Sequence, residues 1–264
     1  MNAESKPRLA ASSYLNTAPL IWSFKYGSRK DDVSLVDTVP SSCADLLAGH
    51  EVDCALVPSI EYQRIDDAKL MPGVCVGSRE KVRSVVLVSR LNNLKKVRTV
   101  ALDDSSRTSA ALVRIIFKEF LQFEPEWTTR SPDLKQMLRN SDAALIIGDP
   151  AMTFAREGLR VWDMAALWHD FTGLGFVFAL WMAGATSATP AIDFVQACNE
   201  GLAQRIEIID YYEQSLGLSR SELETYLTEN ITFFLDDDLR KGLELYYELA
   251  YKHGLVPALK PLNL

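Results

Sequence analysis

Histidine is scarce in this chain, at three among 264 residues, and the four cysteines show no C-x-x-C spacing. Without Cys or His at ligand spacing, the sequence carries no signature of a structural zinc site or a dithiol redox centre. Cys43, Cys54, Cys75 and Cys198 sit mostly among apolar residues, the setting of reduced, buried thiols in a cytoplasmic protein. Positive charge is also short, with 28 Lys and Arg against 35 Asp and Glu, a net charge of −7. No basic stripe exists to neutralise a phosphate backbone, so no nucleic-acid partner is expected. The longest apolar run, Gly175 to Ala183, is too short to cross a bilayer. Met1 to Leu9 is polar and has no apolar h-region. Neither a membrane partner nor a secretory signal is expected.

What is present is a folded composition, 48% hydrophobic, and an alternation of strand-like and helix-like segments. Leu9–Ser12 and Val33–Asp37 read as strands around a helix from Ala18 to Tyr26 that Gly27 closes. Ser41 or Ser42 caps a short helix ending at Gly49, and Asp53–Val57 is an apolar strand stopped by Pro58. Val82–Ser89 is a β-branched strand, and Arg90–Lys96 reads as a crossover into a second unit. That unit carries strands at Arg98–Leu102, Trp127–Arg130 and Ala143–Ile147, a long helix ending near Leu121, and a helix over Pro132–Arg139. Gly175–Met182 reads as a strand returning to the first unit. Beyond it, Ile192–Ser215 has helical periodicity, Ser219-x-x-Glu222 is a capping-box pattern, and Asp236 caps a last helix reaching His253. The expected class is α/β with mostly parallel sheets. The expected division is two lobes, 1–90 with 175–264 and 91–174 inserted, with a ligand cleft between them and a helical C-terminal segment.

Two polar turns occupy strand-to-helix junctions, where ligands bind in such folds. The first is Ser12-Ser13-Tyr14-Leu15-Asn16-Thr17-Ala18-Pro19, in which Asn16 or Thr17 suits an N-cap and Pro19 suits a first helical turn. The second is Asp103-Asp104-Ser105-Ser106-Arg107-Thr108-Ser109. Hydroxyls, an amide and free N–H groups at a helix start make an anion site. One such turn per lobe suggests a small acid held between them.

In order along the chain, S-Y-L-N-T-A-P-L, D-C-A-L-V-P-S-I-E-Y, V-R-S-V-V-L-V-S-R, D-D-S-S-R-T-S and I-I-G-D-P-A resemble the menaquinone-biosynthesis chorismate dehydratases, the MqnA family. The resemblance runs from about residue 8 to residue 183. It implies a type II periplasmic-binding-protein fold used as an enzyme, with no metal and no organic cofactor. The implied reaction removes water from chorismate to give 3-[(1-carboxyvinyl)oxy]benzoate, the first step of the futalosine route to menaquinone. By motif match it places Asn16 and Ser84 at the reacting centre.

Dehydration takes the C3 proton and the C4 hydroxyl and leaves an aromatic ring, so the enzyme's task is positioning and charge stabilisation. An amide such as Asn16 hydrogen-bonds a leaving hydroxyl or an oxyanion without bearing charge. The alternative for Asn16 is a plain helix cap. Ser84, in an otherwise apolar strand, needs a partner for its hydroxyl, which favours a pocket role. Ser105, Ser106, Thr108 and Ser109 are candidates for a substrate carboxylate, and Arg107 either joins them or pairs internally with Asp103 or Asp104. Gly148 allows a close backbone approach at the opposing strand end, with Asp149 capping the next helix and Tyr14 forming a pocket wall. Glu61 either orders the cleft by binding backbone or lies at the surface. Trp22, Phe24 and Tyr26 read as core. Among the histidines only His169 falls near the cleft, and a structural role suits it better. With no evident protein base, the substrate's own enolpyruvyl carboxylate is the hypothesised acceptor of the C3 proton. A non-catalytic binding or sensory protein for a small carboxylic acid shares the same fold and turns. The sister enzyme of the pathway has a different opening, S-P-C-P-N-D, and a cleft histidine that this chain lacks.

Overall fold

The computed structural model describes residues 6–184 and 192–263. Residues 1–5, 185–191 and 264, all within the stretches expected to form the first lobe, lie outside it. The strands are β1 (Arg8–Ala11), β2 (Ser34–Asp37), β3 (Cys54–Pro58), β4 (Lys69–Ser78), β5 (Val85–Ser89), β6 (Thr99–Asp103), β7 (Glu126–Arg130), β8 (Ala143–Ile147), β9 (Arg160–Asp163), β10 (Phe176–Ala183) and β11 (Thr232–Phe234). The helices are α1 (Ala18–Lys25), α2 (Pro40–Ala48), α3 (Arg107–Ile115), α4 (Leu134–Asn140), α5 (Asp149–Thr153), α6 (Met164–Thr172), α7 (Phe194–Ala203), α8 (Arg205–Leu216), α9 (Arg220–Thr225) and α10 (Asp237–Lys252).

Two sheets form. One has the order β11-β4-β10-β3-β1-β2, the other β7-β6-β8-β5-β9. Each defines a lobe. The sheets are mixed rather than mostly parallel: β1 runs parallel to β2 and β3, but β10 is antiparallel to β3 and β4. In the second sheet β6 is parallel to β7 and β8, whereas β5 is antiparallel to β8 and β9. The strand expected to close the first lobe belongs to the second, because Val85–Ser89 pairs on both sides there. The chain therefore crosses before residue 85, not at 90, and returns before Phe176.

Burial explains the strands. Every residue of β3, β5 and β8 is buried, as apolar runs covered on both faces require. The first crossing is pinned by Asp163, whose carboxylate accepts the N–H groups of Val82, Arg83, Ala165 and Ala166. Burial raises its pKa, and those four bonds oppose the shift. The same side chain thus caps α6 and fixes the hinge.

The C-terminal helices cover the first lobe. Ile192–Ser215 breaks into α7 and α8 at Gln204, and Gly201 lets α7 meet α1 at a distance no side chain allows: an added Cβ would lie 2.0 Å from the Pro19 carbonyl oxygen. The Ser219/Glu222 capping box and the Asp236 cap both form. All four cysteines are buried and free. Trp22 and Phe24 are core, but Tyr26 is 49% exposed and packs at the surface on Trp22 and Tyr211.

Candidate active site

β1 delivers the first polar turn to the inner edge of its lobe. Asp37 at the end of the neighbouring β2 holds that turn: its carboxylate accepts the Ser13 N–H at 3.0 Å and the Ser13 hydroxyl at 2.5 Å, and Lys25 pairs with it at 2.7 Å. From the other side the Tyr212 hydroxyl donates to the Ser13 carbonyl at 2.7 Å. Residues Leu15–Thr17 then form a 3-10 turn feeding α1. Neither Asn16 nor Thr17 caps α1 through its side chain. The Thr17 hydroxyl instead donates back to the carbonyls of Ser12 and Tyr14, which tightens the turn. Asn16 is left facing the space between the lobes, and its Oδ1 has no hydrogen-bond partner among the described residues.

The second polar turn follows β6. Asp103 is 2% exposed and organises it, accepting the Ser105 N–H at 2.9 Å and the Ser105 hydroxyl at 2.6 Å on one oxygen. Its other oxygen takes the Ile147 N–H at 3.3 Å. Burial raises the Asp103 pKa against these bonds. Ser105 is therefore spent on shaping the turn. Ser106 and Ser109 line the space between the lobes, and α3 begins there with the N–H groups of its first turn unused by backbone.

Two candidates prove to be contacts between lobes. The Thr108 hydroxyl accepts the Ile60 N–H at 3.2 Å and lies 3.4 Å from the Ser59 hydroxyl. Arg107 pairs with neither Asp103 nor Asp104. Its guanidinium bridges to Asp45 on α2 at 2.6 Å and to Glu61 at 3.2 Å, and Glu61 also takes Arg64 at 2.9 Å. Glu61 is thus neither a surface residue nor a backbone ligand but a 4% exposed carboxylate between two guanidiniums. Burial works against the Arg107 charge, yet Asp45 and Glu61 hold its pKa above the ordinary value. The Ser41 N–H adds a bond to the Ser105 carbonyl at 3.2 Å, placing the start of α2 against the start of α3.

The third seam is Gly148-Asp149. Gly148 has φ +67, and an added Cβ would meet the Tyr14 ring at 2.9 Å, so only glycine lets the turn lie on that ring. Asp149 does not cap α5. Its Oδ1 accepts the Leu15 N–H across the lobes at 3.0 Å. Burial pushes its pKa up to about 6, partly offset by that bond.

The lobes are thus closed on a cavity of about 40 Å³. Tyr14, Asn16, Ser106, Thr108 and Ser109 of the expected set line it, joined by Ser12, Thr17, Pro40, Leu56, Ile147 and Phe178. Sequence reasoning missed Pro40, although a Pro opening a helix after a strand marks a first turn, and Phe178, whose strand position carries no polar signal. Ser84 is not among the lining residues. It is fully buried behind the Gly148 turn, where its carbonyl accepts the Gly148 N–H at 2.8 Å and its hydroxyl accepts that of Tyr226 at 2.6 Å. His169 stands on α6, also outside the lining. Among the described residues no group of three or more His, Cys, Asp or Glu side chains is arranged to hold a metal ion.

The fold is that of the periplasmic binding proteins. It superposes on an Archaeoglobus fulgidus protein with a TM-score of 0.76 at 18% identity, covering 97% of this chain and 100% of that one. The periplasmic aliphatic sulphonate binding protein of Escherichia coli gives 0.66 at 17%, covering 99% and 94%. A family model described as menaquinone biosynthesis matches residues 7–252. The chain belongs to the menaquinone biosynthesis family. Relatives carrying the name chorismate dehydratase align over nearly the whole length. The Thermus thermophilus protein is 30% identical over 91% of this chain and 93% of its own, and the Campylobacter jejuni protein 28% over 95% and 96%. Both polar turns and the Gly148 seam of this family member lie inside the residues that the family model matches. No helix among the described residues is long and apolar enough to cross a membrane.

Proposed function

We propose that the protein is a chorismate dehydratase, a cofactor-independent hydro-lyase acting in the cytoplasm on the futalosine route to menaquinone. The observation that carries this reading is Asn16, presented by a tightly braced 3-10 turn into the closed cavity with its amide oxygen unpartnered. A plain helix cap would be engaged with its own helix, and this side chain is not.

The cavity suits a small dicarboxylate. The starts of α1, α2 and α3 meet around it, bringing Asn16, Pro40, Ser106 and Ser109 to one place, and helix starts favour anions. Ser106 and Ser109, with the free N–H groups of α3, are the proposed holders of one carboxylate. Leu56, Ile147 and Phe178 give the ring an apolar bed. At about 40 Å³ the closed space is far smaller than a ring with two carboxylates, so the lobes part to admit substrate.

Once it is bound, the C3 proton passes to the substrate's own enolpyruvyl carboxylate and the C–H electron pair completes the aromatic ring. The C4 hydroxyl departs with its C–O electron pair, taking that proton from the carboxylic acid to leave as water and restore the carboxylate. The Asn16 amide hydrogen-bonds the departing oxygen. Ser84 supports this centre from behind Gly148, its hydroxyl fixed by Tyr226. The test is purified protein with chorismate, followed by ultraviolet absorbance and mass. Expected is an aromatic product lighter by one water, lost in Asn16→Ala. Binding without turnover would replace this reading with a non-catalytic one.

A further inference from the structure

Asp149 belongs to the second lobe, yet its carboxylate oxygen receives the N–H of Leu15 in the first, one residue before Asn16. The bond spans 134 residues of sequence and closes over the point where Gly148 lies on the Tyr14 ring. The dipeptide Gly148-Asp149 therefore grips the dipeptide Tyr14-Leu15. A 3-10 turn of three residues has few backbone bonds of its own, so an external acceptor at its first N–H fixes its orientation. That acceptor arrives only when the lobes meet.

We propose that Asp149 is a positioning residue for Asn16, holding the Leu15–Thr17 turn in its working orientation as the cleft closes. The proposal rests on the dehydratase reading above. Asp149 does not line the cavity, so it acts through the Leu15 amide and not on substrate. Around it stand Tyr14 on the turn itself, Tyr212 on α8 and Tyr226 in the turn after α9. Asp103 is the other acidic group bearing on Tyr14, and no cation pairs with Asp149 among the described residues. The carboxylate is kept for the one N–H it receives.

Protonation at about 6 would weaken that acceptor, so turnover is expected to fall as the pH drops through this value. Asp149→Ala removes the acceptor. A misplacement of the order of 1 Å costs up to about 100-fold, so kcat should fall between about 10- and 100-fold, while the lost bond between lobes raises KM as well. Asp149→Asn keeps a neutral oxygen facing Leu15, as the protonated carboxyl does, and should leave kcat between that of Asp149→Ala and that of the parent. The amide shift of Leu15, followed by nuclear magnetic resonance in the unmodified protein, should titrate near 6 and be flat in Asp149→Asn.

A kcat for Asp149→Ala within about twofold of the parent would overturn the proposal. So would equal losses in both variants, or a Leu15 amide indifferent to pH. An alanine variant that does not fold leaves the asparagine variant and the titration to decide. If the parent protein fails to turn over chorismate while the Leu15 amide titrates, the contact is real and the function assigned to Asn16 is what fails.

Discussion

Replacing Arg107 by Met should weaken closure of the lobes without touching the substrate. Its two arms differ in worth. The arm to Asp45 ends on a side chain 65% exposed, which limits it to about 1 kcal/mol or less. The arm to Glu61 ends on a carboxylate only 4% exposed, and a hydrogen bond to such a charged group is worth about 1.5–3 kcal/mol. A loss of about 2 kcal/mol lowers the closed population about 30-fold, which passes in full to apparent affinity if the free protein rests open. Calorimetric titration with chorismate reads the affinity, and the scattering radius with and without ligand reads the closure. The rival account is that Arg107 grips a substrate carboxylate directly. Glu61→Gln separates the two, because it weakens the latch but releases Arg107 towards a ligand. The latch predicts weaker binding in Glu61→Gln, in the same direction as Arg107→Met. Unchanged or tighter binding in Glu61→Gln would refute it.

Gly148→Ala places a methyl against the Tyr14 ring and a side chain at φ +67, ψ −151, a region essentially confined to glycine, which costs about 1–3 kcal/mol from the backbone alone; melting and turnover should both drop. Gly201→Ala drives a methyl to 2.0 Å from the Pro19 carbonyl oxygen, and the α1–α7 contact should separate, seen as loss of cooperative urea unfolding. Ser219→Ala removes the α9 capping box and should cost about 1 kcal/mol in urea unfolding while kcat holds. Glu200, bound to Ser23, Ser28 and Arg29, has its carboxyl held down to about 2 from an ordinary 4.5. A lowered folded value means its contribution is complete above about 4.5 and is lost as pH falls towards 2; Glu200→Gln should flatten stability across that window.

Much of this site was legible because it is local. The run from Leu9 through Pro19 contains a strand, a polar turn and a helix start, and Ala143–Ile147 followed by Gly148 shows strand and turn directly. β4 was not legible, since Pro72 and Gly73 interrupt it and its pairing to β10 slips at that point. Three-residue β11 is too short to show a period. The membership of Val85–Ser89 depends on β8 and β9, which lie 50 or more residues further on, and no local pattern encodes that choice. The same holds within the site. Hydroxyls at Ser105, Thr108 and Ser109 look alike in sequence, but one is spent on Asp103, one on Ile60 and one faces the cavity. Arg107 beside two aspartates reads in sequence as either a grip on a substrate carboxylate or an internal pair, and its partners Asp45 and Glu61 come from the other lobe.

The account turns on Asn16 acting in the closed cleft. The most direct measurement is single-turnover conversion of chorismate by the parent and by Asn16→Ala, with binding measured separately on each. The account predicts an aromatic product one water lighter from the parent, and retained binding without product from the variant. Product formed by Asn16→Ala at the parental rate would contradict it.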